Sequence, residues 1–324
     1  MSDLTPPRWY TPPIDKSVIK TLMQRTNGRA LGSFGLWMLL VVGLGWVAAY
    51  LYNLGTLWCI LAFFLYGTVF SSCNARWHES MHGTPFRTKA LNNAAFFIAA
   101  AMEYKDVVSA RWSHLNHHSF TIHTDKDLEI LAPRPLKIGI LLLDYFYLHY
   151  AVLSFWILML HSLGVPSSGA KRVVPKGKLP SMYWSSRAVL AMHLAAVLLA
   201  VLLRSWLPIL LFTVPRIYGG VAIWLFVVTQ HSGLAQDVWD HRLSTRTVHV
   251  NPVLSFLYMH MENHIEHHLY PNVPFHALPR LHRLCEPWLP RTYTGLWDAY
   301  REMWPALMKQ RRDASFFIQR KIPR

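Results

Sequence analysis

The chain has 324 residues, of which 52% are apolar and only 15% charged, and its formal net charge is +15. That balance is too apolar for an ordinary soluble domain and points to membrane spans. Nucleic acid is excluded as a partner, because nothing resembles a recognition module and the basic residues sit beside apolar runs, and the three cysteines, Cys59, Cys73 and Cys285, show no pairing or CxxC pattern.

Residues 1–30 are polar, with Lys16, Lys20, Arg25 and Arg29, and lack the apolar core of a cleaved signal peptide. Two uncharged apolar runs follow, 31–53 and 56–73, split by the polar joint from Asn53 to Gly55. Each is long enough to cross a hydrocarbon layer of about 30 Å, so they predict a helical hairpin. The stretch "HESMH" comes next, with His78 and His82 four apart on one helical face. A helix unbroken from 56 to 82 would be roughly 40 Å long, which places this pair just beyond the membrane.

The segment "RWSHLNHHSF" then holds His114, His117 and His118. Positions i, i+3 and i+4 share a helical face and are expected to converge on one locus. Asp125 and Asp127, in "HTDKDLE", are candidates to orient ligands through imidazole N–H bonds. The apolar stretch 136–163 contains Asp144, His149 and His161 and predicts helices lying in the interface rather than a further hairpin. Residues 166–181 read as a linker rich in Pro, Gly, Ser and Lys.

A second hairpin is expected in 187–229, interrupted by Arg204 and by Pro215–Arg216. At its end "VTQHSGLAQD" places His231 where it can face the other histidines. The stretch "NHIEHH" repeats the HxxHH spacing with His264, His267 and His268, and Pro271 stops that helix. With 18 histidines placed at random, one such pattern is expected roughly 0.06 times in this chain, so two copies are not accidental. His241, His249 and His282 read as surface histidines, His193 as a hydrogen-bonded core residue, and His123, His260 and His276 as candidates for contacts with ligands or substrate.

Basic residues crowd the segments after 73 and 166 and the C-terminal tail, whereas the joint at 53–55 has none. The positive-inside rule then places both termini and every histidine group on the cytoplasmic side, in a bacterial inner membrane. Eight histidines in boxes exceed what one zinc takes, and no cysteine lies near them, so the ligand count favours a pair of irons able to activate O2. "HESMH" also reads as the HExxH of a zinc hydrolase with Glu79 as base, but that would leave six boxed histidines unexplained. A metal transporter would place its ligands within the spans rather than beyond them.

The ordered set "HESMH", "HLNHH" and "HIEHHLYPNVPFHALPRLH" resembles the membrane fatty acid desaturase and hydroxylase superfamily from His78 to about His282. The tail "YTGLWDAYREMWPAL" is similar to a bacterial branch of hydrocarbon or rhizopine-type oxygenases, thought to draw electrons from a small ferredoxin and to act on polar methylated compounds. The resemblance implies an all-α integral membrane fold: two transmembrane helical hairpins, about four spans, under a cytoplasmic histidine-rich helical cap. A single domain, 1–324, would then comprise an N-terminal segment (1–30), a first hairpin (31–76), a cap portion with the first two boxes (77–186), a second hairpin (187–232) and a cap portion with the third box and basic tail (233–324). The implied cofactor is two non-haem iron ions with O2 as co-substrate, held by His78, His82, His114, His117, His118, His264, His267 and His268, with His231 as a ninth ligand. The implied reaction is desaturation of a fatty acyl lipid, with hydroxylation, ketolation or demethylation as the alternative. No redox module is fused, so a ferredoxin or similar donor with its reductase is expected, alongside membrane lipids, and the basic surface would steer an acidic partner.

Overall fold

The computed structural model describes residues 8–323. Asp15 caps α1 (Lys16–Leu22), which leads into α2 (Asn27–Asn53). α2 and α3 (Trp58–Ser71) form the expected hairpin, turning at Gly55, whose φ of +66° only glycine adopts freely. The outer face of the pair is apolar and exposed, with Leu39, Val42, Trp46, Trp58 and Ile60, while Trp37, Val41 and Tyr66 face inward. An exposed apolar belt of that extent is a lipid-facing surface.

α3 continues as α4 (Cys73–Met81) past one non-helical residue, Ser72, whose hydroxyl turns back onto the Val69 carbonyl at 2.6 Å. Trp58–Met81 spans 24 residues, about 36 Å of helix, so its last turn leaves the apolar layer and carries His78 and His82 with it. α5 (Lys89–Ala101) returns along α4. α6 (Val107–Ser119) is capped by Asp106, which accepts from Val108 N at 3.1 Å and Ser109 N at 2.8 Å, and it carries the second box.

The stretch 136–163, expected to hold interfacial helices, contains α7 (Ile138–Tyr145) and α8 (Leu148–Ser162), which meet at 83°. α8 runs along the later span α10, and the bent pair is long and apolar enough to cross as one broken span. After α9 (Ser168–Val173), α10 (Leu179–Leu202) is an apolar helix with Leu194, Leu198 and Val201 exposed. His193 on its inner face bonds the Ala101 carbonyl at 3.1 Å, as a core histidine should.

The return half of the second hairpin is built of short pieces, with a break at the expected Pro215. It is a π-helical turn (Ile209–Thr213), then α11 (Pro215–Gly219) and α12 (Val221–Thr229). Pro215 cannot continue the preceding hydrogen-bond ladder. Gly219 lies so close to α3 that an added Cβ would come within 2.0 Å of the Gly67 carbonyl carbon. Two glycines thus let α3 and α11 touch backbone to backbone, the close approach that small residues give membrane helices. By length and composition three helices can cross a membrane, or four with the bent pair, in the described residues.

The remainder lies beside the emerging helix ends. α13 (His241–Ser244), α14 (Pro252–Leu257), α15 (His264–Leu269), α16 (Leu278–Cys285) and α17 (Gly295–Gln310) are short or amphipathic. Two residues of β1 (Val248–His249) pair in parallel with β2 (Tyr293–Thr294), tying the third-box region to α17.

Candidate metal centre

Four segments meet at one end of the helices: the end of α4, the second half of α6, the residue pair after α12, and α15. They bring the nine singled-out histidines together in two groups that share no member. His78, His82, His114, His118 and His267 form the first, and His117, His231, His264 and His268 the second, with one ring nitrogen of each residue within 4.8 Å of the others in its group.

The HxxHH triplets do not each converge on one locus. In α6, His114 and His118 serve the first group and His117 the second; in α15, His264 and His268 serve the second group and His267 the first. The reason is helical pitch. At about 100° per residue, i and i+4 lie almost in line, whereas i+3 and i+4 diverge by a full 100°. Each helix therefore faces both groups.

The ring nitrogens are arranged to present lone pairs inward. His114 Nδ1 donates to Glu129 at 2.8 Å, His117 Nδ1 to Asp127 at 2.8 Å, and His231 Nδ1 to the Ser244 carbonyl at 2.9 Å. The Thr121 hydroxyl donates to the His117 carbonyl, so its oxygen accepts from His268 Nδ1 at 3.2 Å. Gln230 Nε2 donates to the Tyr258 hydroxyl at 2.6 Å and lies 3.3 Å from His264 Nδ1. The opposite nitrogens then face one another: His114 Nε2 and His118 Nε2 at 3.1 Å, and 3.2 Å for the His118–His267, His264–His268 and His231–His264 pairs. Two imidazole ligands about 2.1 Å from a common ion, at right angles, are separated by roughly 3.0 Å.

His78 bears on the same question. Both its ring nitrogens are buried without a hydrogen-bond partner, as are His82 Nε2, His118 Nδ1 and His267 Nδ1. A buried polar atom left unpaired costs about 1–3 kcal/mol, and a cation in this group would satisfy one nitrogen of His78 and His82 Nε2, while the Nδ1 atoms of His118 and His267 lie on the ring side away from it. Burial pushes His82 and His231 down to about 3, and holds His114, His118, His264, His267 and His268 well below the ordinary imidazole range. Those rings are neutral at pH 7, the form that ligates. For His117 burial also presses downward, but the Asp127 carboxylate outweighs it and raises the ring. No carboxylate or thiolate joins either group among the described residues, so the donor set is all imidazole, which suits iron as well as zinc and copper. The residues fit two such ions.

Several single-residue expectations change. Asp127 orients His117, but Asp125 is exposed and engages no ligand. Glu129, two residues on in the same "HTDKDLE", takes the comparable role on His114. Glu79 does not stand free as a hydrolytic base: its Oε1 accepts from the Phe275 amide at 3.0 Å and from the Thr84 hydroxyl, tying α4 to the turn after the third box. His241 and His282, expected on the surface, are buried, because tertiary packing covers them. Trp9 stacks on His241 at 3.9 Å and 6°, and His241 in turn lies 4.9 Å from the His268 ring. His282 bonds the buried Glu266 carboxylate. His249 is exposed as expected. His123 packs on Trp239 and His260 bonds Ser255 at 2.8 Å; with His276 they stay outside both groups.

A cavity of about 660 Å³, open at its mouth, borders the histidines. It is lined by His78, His114, His117, His231 and His264 together with Glu103, Lys105, Glu129, Tyr150 and Trp224.

No curated protein matches the chain. The family described as fatty acid desaturase matches residues 55–300, a range that starts at the first hairpin's turn and contains all nine histidines. With well over half of its length matched, the chain belongs to the fatty acid desaturase family and is a membrane oxidoreductase of the desaturase and hydroxylase kind.

Proposed function

We propose that this protein is an O2-dependent di-iron enzyme that oxidises an unactivated C–H bond. The observation that supports it is the division of nine histidines into two disjoint groups of ring nitrogens, five and four. His78, His82, His114, His118 and His267 would hold one ion and His117, His231, His264 and His268 the other. Bound there, two irons would supply O2 activation with two electrons per turnover. The chain's own residues do the rest. Asp127, Glu129, Thr121 and the Ser244 carbonyl fix ring tautomers and orientations. Burial keeps the rings other than His117 neutral, and the bordering cavity receives the substrate. Desaturation and hydroxylation draw on the same centre; what enters the cavity decides between a lipid acyl chain and a smaller molecule.

Elemental analysis of protein expressed with ample iron should find about two irons per chain. One zinc and no iron would sink this reading.

The electrons would come from a separate acidic donor, a ferredoxin or its like, on the cytoplasmic face. Arg280, Arg283 and Arg301 are exposed beyond the third box, while Arg291 is held by Asp298 at 2.6 Å. Steering by such charges weakens with salt. Reversing Arg280 and Arg283 to Glu should slow donor-driven turnover about tenfold at low ionic strength and flatten its salt dependence, leaving peroxide-driven turnover unchanged. In inside-out membrane vesicles the donor should work, and in sealed right-side-out vesicles it should not. Equal losses in the donor and peroxide assays would show that the arginines are structural; activity from the outer face would overturn the orientation.

A further inference from the structure

The cavity beside the histidines is not an apolar slot. Two carboxylates and an ammonium line it, Glu103, Glu129 and Lys105, and a bare hydrocarbon laid against them would strip water from charged groups with nothing in return. Both carboxylates are already engaged. Glu103 is ion-paired with Arg216, lies 3.2 Å from Lys105 Nζ, and accepts from Asn74 Nδ2 at 3.0 Å and from Trp77 Nε1. Glu129 accepts from His114 at 2.8 Å and from the Ser113 hydroxyl at 2.7 Å.

The cation is not so consumed. Glu103 faces two cations, Arg216 and Lys105, and with Glu129 on the same lining the four charges balance, so what Lys105 has to offer is hydrogen-bonding capacity. An ammonium has three N–H donors, and one of those on Lys105 goes to Glu103. Lys105 also sits 3.9 Å over the Trp77 ring and 5.7 Å from that of Tyr150. The Trp77 and Tyr150 faces, two of the aromatic surfaces on the cavity, are thus taken by a cation of the chain itself. A neighbouring cleft of about 340 Å³ shares Glu129, Leu131, Val227 and His231 with the cavity and is lined by a second cation, Arg134.

We propose that the substrate is a compact molecule bearing a carboxylate, anchored on Lys105 so that a C–H bond elsewhere in it faces the histidines. Lys105 and the histidines His78, His114 and His117 line one and the same cavity, so the anchored group and the reacting carbon belong to one short molecule. This rests on the histidine centre being the site of reaction. The same carboxylate chemistry occurs in short free acids and in long-chain fatty acids, and the proposal commits to the short ones.

The test is calorimetric binding to the purified, iron-loaded protein in detergent, with hexanoate, hexanamide, hexylamine and palmitate as probes. Hexanoate should bind at least about tenfold more tightly than hexanamide or hexylamine, the loss expected for one charge-assisted contact. Lys105→Gln should erase that preference and Lys105→Arg should keep most of it. Arg134→Gln, remote from the Glu103 cluster, should slow hexanoate association at low salt while leaving the Lys105-dependent preference in place. Undiminished hexanoate binding by Lys105→Gln would place the carboxylate on the metals or the micelle and overturn the proposal. So would a preference for hexylamine, or palmitate binding without any hexanoate binding. Iron measured on the same samples separates the two claims. Low iron with Lys105-dependent binding sinks the di-iron reading alone, whereas two irons without that dependence sinks the substrate class alone.

Discussion

Replacing His268 by Ala should release one iron of two and bring turnover below detection, while the protein still inserts and remains folded in detergent. His268 belongs to the group with four ring nitrogens, so its loss leaves three, with no other side-chain ligand in that group among the described residues. His267→Ala takes one nitrogen from the group of five and leaves four. It should retain more metal than His268→Ala and still lose turnover, since the ligand set around the reacting centre is broken. Asp127→Asn gives the graded comparison. It spares every ligand but removes the charge that fixes His117, and partners of that kind are worth about ten- to a hundredfold in activity or affinity. Metal analysis beside single-turnover assays reads all three. Full iron and full activity in His268→Ala would show that the second group is not a metal site.

Arg216→Ala should destabilise the protein by about 3 kcal/mol or more, the scale for removing one partner of a buried ion pair. Arg216 and Glu103 are each only 1% exposed. The arginine also bonds the Ser71 carbonyl at 2.8 Å and lies 4.0 Å over the Tyr147 ring. Without it, Glu103 keeps Lys105, which places the effect at the lower end of the range. Arg216→Lys should fall between, because an ammonium keeps the charge but loses the planar stacking and the second arm. Denaturant unfolding in micelles measures this, and an unchanged midpoint for Arg216→Ala would mean that the ion pair adds nothing to the fold.

The spacing of histidines was readable because helical period is written directly into sequence separation; His78 and His82, and both HxxHH triplets, needed nothing more. His231 was readable from its place at the end of an apolar run. The division of ligands between the two groups was not, since it depends on how α6 and α15 are rotated against each other, and adjacent residues such as His117 and His118 end on opposite sides. Glu129 and the Ser244 carbonyl were hidden for a different reason: a carboxylate in a polar loop and a backbone oxygen look the same in sequence whether or not a ring meets them. His241 and His282 misled because burial is a property of what packs above, here Trp9 in the first case. The apolar block 187–229 fixed the position of α10 but not the shape of its return, which Pro215 and the Gly67–Gly219 contact break into short pieces.

The exchange of His117 and His267 between groups makes each of two helices a ruler. α6 and α15 both reach both groups, and successive ligands on one helix are offset by an axial rise of about 1.5 Å per residue. The separation of the two groups of ring nitrogens is therefore set by backbone pitch and by the rotation of two helices. Turning α15 moves His267 and His268 together, so neither position can be loosened without disturbing the other.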